Sequence, residues 1–336
     1  MADMRRRKLF ASLLLSLLTL TLTVSCRSPQ ATPPPTPVGT TSLKVAMILD
    51  GSHTDKSWSQ GGYEGLKLIE SQYGAQIDFQ EGIHGDEQSI QALRSYAEQG
   101  YDLIIAHSGG YIAAAETVAK DFPTTKFAVV STYAGNNQNL GAVGFRSGEV
   151  GYLTGYLAAM KTKTNKVGYI VGADYPIYQE EAALFERGAK ARQPDIAVST
   201  IFLGSWTDTE KATQEAMKLV DSGVDLLAIN ADEAGIAALE AVTQKEGVYV
   251  IGWTKDLYEL APDRMITSVL QDIPALVLNA ATLVQQGRWE GKLYKFGLKE
   301  KIYDFAPFRG ALTPEEEAEF KEIRDRVVTG RVDITP

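Results

Sequence analysis

The stretch KVAMILD, Lys44 to Asp50, returns as KVGYIVG at Lys166 to Gly172, an offset of 122 residues. Each is a short continuous apolar run stopped by a polar residue or a glycine, the pattern of a strand buried on both faces. The surroundings repeat in the same order. GYDLIIAHS returns as GVDLLAINA with Asp102 against Asp225, Gly65-Leu66-Lys67 returns as Gly188-Ala189-Lys190, and IAAAETV at Ile112 returns as IAALEAV at Ile236, at offsets of 123, 123 and 124. So constant an offset predicts two similar halves.

Working outward, LKVAMILD, AQIDFQEG, YDLIIAHS and KFAVVST read as strands, and GGYEGLKLIESQYG, DEQSIQALRSYAEQG and YIAAAETVAKDFP between them carry helical spacing. Alternating strand and helix gives a parallel sheet covered on both faces. The expected fold class is therefore α/β, with two Rossmann-like doubly wound lobes joined by a hinge. The N-terminal lobe is expected over 43–163, the C-terminal lobe over 164–272, and a return segment completing both over 273–336. Within that segment GKLYKFGLKEKIYDFAP reads as an edge hairpin. TPEEEAEFKEIRDRVVTG reads as a helix with a capping box from Thr313 to Glu316 and an apolar face of Phe320, Ile323 and Val327.

In open parallel sheets, ligands sit beyond the C-terminal ends of the strands, and two such lobes enclose a ligand between them when the hinge closes. The residues at those ends are Asp50 with Trp58 and Gln60, then His107 and Ser108, then Trp206 with Asp208, Asp232 with Glu233, and Trp253 with Asp256. Three of the four tryptophans thus fall in expected strand-end loops, and Trp289 does not. An indole is seldom left exposed in a loop without something to pack on. Three at one face of the sheets predict an aromatic-lined pocket for a flat ring, with ionised aspartates receiving its N–H groups.

The N-terminus carries Arg5, Arg6, Arg7 and Lys8, then an apolar and hydroxyl run from Leu9 to Val24 that closes on Ser25 and Cys26. This is the layout of an export signal over 1–25, and the run is short for a membrane span of about 20 residues. Cys26 is the only cysteine, so no internal disulfide exists. Val24-Ser25-Cys26 resembles the bacterial lipobox, in which the cysteine is lipidated, with Thr23 where a leucine is usual. Residues 26–42 are rich in Pro, Thr and Ser and read as a tether with little to bury.

The formal net charge of −9, with no basic stripe, argues against nucleic acid as a partner. His53, His84 and His107 lack metal-ligand spacing, and neither a G-x-S-x-G elbow nor a P-loop occurs. No catalytic residue, metal or cofactor is expected, and the body is expected to be a monomer.

At DKSWSQGGYEG, at GFRSGEVGYLTGYLAA from Gly144 to Ala159, at GSWTD and at APDRMITSV from Ala261 to Val269, the chain resembles the basic-membrane-protein family of bacterial lipoproteins. The resemblance covers about Val45 to about Val328. These are purine and purine-nucleoside receptors of ABC importers with a fold like that of type I periplasmic binding proteins. The resemblance implies a membrane permease as partner and a purine, as base or nucleoside, stacked between Trp58 and Trp206. It also implies that Asp50 and Asp232 receive purine or sugar hydrogens, and that Glu149 contacts the ligand or packs the hinge. Where many nucleoside-binding members carry an I-G-V-D pattern, this chain reads Ile251-Gly252-Trp253 with Asp256 three residues on, a departure that leans toward a free nucleobase. The residues leave open an importer receptor, a sensory receptor for the same ligands, and a sugar-binding protein of the same fold.

Overall fold

The computed structural model describes residues 42–55 and 58–335. The apolar leader, Cys26 and the tether as far as Thr41 lie outside the described residues. The first half runs β1 (Lys44–Ile48), α1 (Trp58–Tyr73), β2 (Gln76–Gln80), α2 (Gly85–Glu98), β3 (Leu103–Ala106), α3 (Ile112–Ala119), β4 (Lys126–Val130) and β5 (Leu140–Phe145). The second runs α4 (Ser147–Lys161), β6 (Lys166–Val171), α5 (Pro176–Arg192), β7 (Ala197–Phe202), α6 (Thr209–Asp221), β8 (Leu226–Asn230), α7 (Asp232–Val242), β9 (Tyr249–Gly252) and β10 (Met265–Gln271). The return segment supplies α8 (Ile273–Gln285), β11 (Leu293–Phe296), β12 (Tyr303–Phe305) and α9 (Pro314–Val328).

These form two six-stranded sheets, ordered β11-β5-β4-β3-β1-β2 and β12-β10-β9-β8-β6-β7. Each is a 2-1-3-4-5 doubly wound sheet extended by one strand of the return segment, so each has its topological switch point beside its first strand, between β1 and β3 and between β6 and β8. The internal repeat extends to the hydrogen bonds. Lys44 N donates to Asp102 Oδ2 at 2.8 Å and Lys44 Nζ to Gln99 O at 2.7 Å. In the second lobe Asp225 Oδ2 accepts from Lys163 N at 2.7 Å and Thr164 N at 3.0 Å, and Lys166 Nζ donates to Ser222 O at 2.7 Å. An aspartate opening the third strand of each lobe thus fixes the chain entering the first, and a lysine closes the end of the preceding helix.

The return segment departs from the expected hairpin. β11 pairs parallel with β5 in the first sheet, whereas β12 pairs antiparallel with β10 in the second. A hairpin needs its two strands side by side. Here the residues between them cross from lobe to lobe, held by Leu298 N donating to Glu149 Oε2 at 2.8 Å. Strand β5 (LGAVGF) is not singled out by its pattern because glycines dilute the apolar run. Gly141 is small for a reason: a Cβ there would lie 2.5 Å from Lys292 O where the return segment arrives.

Helix α4 is buried on nearly every side, from Ser147 to Ala159, and so shows no apolar stripe. It rests against α5 through glycines. A Cβ on Gly151 would stand 2.4 Å from Glu181 O, one on Gly155 1.9 Å from Phe185 O, and one on Gly188 1.9 Å from Tyr152 O. The capping box of α9 is present, with Glu316 N donating to Thr313 Oγ1 at 3.2 Å and Thr313 N to Glu316 Oε2 at 2.8 Å. Phe320, Ile323 and Val327 are buried as their spacing predicts. Among the described residues no helix is long and apolar enough to cross a membrane.

Candidate functional site

At the first switch point, Asp50 lies two residues past the end of β1, and β3 leads into His107. Asp55 caps α1 by accepting from Ser59 N and Gln60 N, both at 3.0 Å. Ser59 Oγ accepts from Gly51 N at 3.1 Å and donates to Asp50 Oδ1 at 3.3 Å. This network sets Trp58 as the first residue of α1 rather than in a free loop. Its indole stacks on His107 with ring centroids 4.6 Å apart and planes 20° from parallel. Two reciprocal bonds of 2.9 Å lock the pair, Trp58 Nε1 to His107 O and His107 Nε2 to Trp58 O. Since a carbonyl only accepts, Nε2 carries the proton and Nδ1 is a bare acceptor. Burial pushes the imidazole pKa down to about 4, so it is neutral. Nδ1 is buried and has no hydrogen-bond partner.

At the second switch point β6 ends near Gly172 and β8 at Asn230. The Trp206 indole lies directly over Gly172, where a Cβ would stand 2.2 Å from Cε3. Tyr178 meets Trp206 edge-on at 5.3 Å, and Tyr175, 60 % exposed, stacks on Tyr178 at 6.3 Å. Ala234 N donates to Trp206 O at 2.9 Å, which ties the tryptophan loop to the first turn of α7, where Asp232 stands exposed. Asp232 has φ +44° and Thr254, just past β9, has φ +72°. Non-glycine residues held in the left-handed region cluster at functional sites.

The nine residues expected to meet the ligand divide in two. Asp50 and Trp58 come together with His107 on one lobe, and Trp206 and Asp232 come together with Tyr178 on the other. Among the described residues no ring contact joins Trp58 to Trp206. The other five are engaged within the protein. Gln60 Nε2 donates to Glu64 at 2.7 Å, and Ser108 Oγ accepts from Gly110 N at 3.2 Å. Glu149, 4 % exposed, holds the interlobe crossing at Leu298 N and pairs with Arg146 at 3.3 Å. Asp256 pairs with Arg309. Trp253 lies just past β9, at the strand end as expected, but is buried rather than open to a pocket. It is 4 % exposed and belongs to the main hydrophobic core, with its ring 6.1 Å from that of Tyr169.

Other residues had no separable sequence signal. Phe145 connects Trp58, at 6.4 Å, with Tyr303, at 5.0 Å, so an aromatic line runs from the first lobe into β12 of the second. Tyr169 donates its hydroxyl to Glu181, a wholly buried acid on α5. Two cavities of about 580 and 610 Å³ lie elsewhere, one bounded by Arg146, Glu180 and Asp333, the other by Tyr249, Tyr258 and Phe308. Neither is lined by Trp58, Trp206 or Asp232. Among the described residues no group of His, Cys, Asp and Glu is arranged to hold a metal ion.

Residues 42–331 match the family model described as Bmp, ABC transporter substrate-binding protein PnrA-like. The chain belongs to the Bmp family. As a substrate-binding protein of that class it works outside the cytoplasm, with a small molecule and a membrane permease as its implied partners. It is 29 % identical to basic membrane protein A of Borreliella burgdorferi, over 88 % of each chain. It is 28 % identical to the transcriptional activator protein med of Bacillus subtilis, over 79 % of this chain and 82 % of that one. It is likewise 28 % identical to a purine-binding protein of Brucella abortus, over 86 % and 84 %. Among solved structures, a transcriptional activator of the comK gene from Bacillus halodurans superposes with TM-score 0.76 at 22 % identity, covering 86 % of this chain and 99 % of that one. An ABC transporter solute-binding protein from Aeropyrum pernix superposes with TM-score 0.68 at 20 % identity, covering 87 % and 92 %. The Bmp chain thus has the two-lobed fold of type I periplasmic binding proteins.

Proposed function

We propose that this Bmp protein is a lipid-anchored receptor that captures a purine between Trp58 of one lobe and Trp206 of the other and presents it, without turnover, to an ABC permease. The observation that carries the reading is the matched pair of aromatic platforms, one at each switch point. Trp58 is locked on His107, and Trp206 is seated over Gly172 against Tyr178. Asp50 and Asp232 stand beside them as acceptors for ring N–H groups. The purine-binding relative from Brucella abortus supports the ligand class. Thr254 stands where the I-G-V-D pattern of many nucleoside-binding members carries its aspartate, which favours a free base over a nucleoside. The protein acts as a monomer.

Calorimetric titration of adenine, hypoxanthine and their nucleosides tests the reading. Asp232→Ala should weaken binding roughly tenfold or more, the loss of one charge-assisted hydrogen bond, with little change in melting temperature. A large drop in melting temperature with unchanged affinity would make Asp232 a structural residue of the α7 start instead.

The anchor is assigned to Cys26, which becomes the first residue of the mature chain. Several acyl chains together give firm attachment, since each buried methylene contributes about 0.8 kcal/mol. Cells grown with a palmitate analogue should label the wild-type chain and not Cys26→Ser. Equal labelling of the two would place the lipid elsewhere.

A ligand-sensing role is the second reading, favoured by the likeness to the med protein and to the comK activator. Neighbouring genes separate the two, permease and ATPase genes for an importer, a kinase or chemoreceptor gene for a sensor.

A further inference from the structure

Glu181 is 1 % exposed. Its Oε1 accepts from the Tyr169 hydroxyl and from Asn230 Nδ2, the latter at 2.8 Å, while Oε2 is buried with no hydrogen-bond partner. Native proteins rarely leave a carboxyl oxygen in that condition without an occupant to meet it. The position is telling. Asn230 is the last residue of β8, two residues before Asp232. Tyr178, one turn earlier on α5, touches Trp206. Glu181 therefore lies beneath the aromatic shelf of the second lobe, at its switch point. Across Tyr169 from Glu181 is a second unpartnered buried polar atom, the donor Trp253 Nε1.

We propose that Glu181 is a specificity-determining acid, its free oxygen reserved for an N–H on the edge of the ring that the receptor captures. The proposal rests on the reading of the cleft given above. Two contacts explain how the acid comes to be there. Gly151 lets α4 approach so closely that Glu181 O lies against its backbone, and α5 turns the side chain toward β6 and β8. Tyr303, which follows the crossing between the lobes, is near enough for its hydroxyl to be affected by the carboxylate.

Burial raises the Glu181 pKa to about 7, against the bonds from Tyr169 and Asn230, which lower it. The groups around it are Tyr169 from β6, Asn230 from β8, Tyr303 from β12, and Tyr178 and Glu180 from α5 itself. Glu180 faces Lys295, and near the start of α4 Arg146 and Glu149 pair with each other. None of these supplies a cation to Glu181. A ligand N–H would favour the ionised acid and lower its pKa on binding. Protons are then released, and affinity weakens as pH falls through 7, by about tenfold between pH 8 and pH 6.

The test is calorimetry on the full-length chain with adenine and hypoxanthine, from pH 6 to 8, in two buffers of different ionisation heat. The wild type should release about half a proton per ligand at pH 7. Glu181→Gln should bind at least tenfold more weakly at pH 8, with no proton release and a flat pH profile. Tyr169→Phe, which removes a bond to Oε1, should move the midpoint of the profile to higher pH and serves if Glu181→Gln does not fold. Purine binding by the wild type with a flat profile and no proton release, as an ordered water at Oε2 would give, overturns the role of Glu181 alone. Absence of any purine binding by the wild type overturns both this role and the purine reading.

Discussion

Replacing Trp58 or Trp206 by alanine is expected to lower purine affinity by about 2–4 kcal/mol, the loss found for buried aromatic anchors elsewhere. The two positions should nevertheless answer differently to phenylalanine. Trp206 makes ring contact with Tyr178 and rests on Gly172, so a phenyl ring keeps the face and most of the area. Trp58 also donates Nε1 to His107 O, and phenylalanine loses that bond, leaving a part-buried carbonyl short of a donor. Trp58→Phe should therefore weaken binding more than Trp206→Phe. Gly172→Ala adds a variant that removes no candidate contact with the ligand. Its Cβ would press on the Trp206 ring, so displacement of the indole alone should reduce affinity. Titration calorimetry, with folding checked by thermal melts, reads all of these. Wild-type affinity in a folded Trp58→Ala or Trp206→Ala chain would remove the sandwich and the main argument for a purine.

A stability loss of about 3 kcal/mol or more is expected for Gly155→Val and for Gly188→Val. Overpacking a well-packed interior ordinarily costs about 1–3 kcal/mol by shifting side chains. Here the obstacle is backbone on both sides, Phe185 O and Tyr152 O, each 1.9 Å from the added Cβ. Neither carbonyl moves without moving its helix, and α4 runs between the last strand of one lobe and the first of the other. In a domain of this size the loss corresponds to a fall in melting temperature of roughly 6 °C or more. Gly109→Ala is the control, since the nearest atom to its Cβ would be Ser131 Cβ at 3.7 Å, an ordinary contact. Urea or thermal unfolding with Gly155→Val matching wild type would mean that α4 and α5 separate freely. It would also undo the account of why Glu181 is held where it is.

The repeated KVAMILD and KVGYIVG strands, with their paired Asp102 and Asp225, carry the two-lobed architecture in local pattern alone. Strand, helix and turn preferences act over a few residues, and duplication makes each half a check on the other. The strand ends follow from the same pattern, which is why Asp50, Trp58, Trp206 and Asp232 are legible as a group, and the tail helix and its cap are equally local. What each strand-end residue touches is decided by segments far away in the chain. Trp253 and Asp256 look like Trp206 and Asp208 in sequence, yet the core around Tyr169 buries the first and Arg309 engages the second. Glu149 reads as a helix-start acid until Leu298 reaches it from the return segment, and GKLYKFGLKEKIYDFAP reads as a hairpin until its two strands join different sheets. Glu181 carries no local signal, being one of two adjacent glutamates on a helix. Its burial depends on Tyr169, Asn230 and the glycine face of α4, all brought to it by the tertiary fold. Local pattern sets where elements begin and end because short-range sterics and hydrophobic period govern them. The partners of a buried polar group are set by long-range packing, which no single stretch of sequence contains.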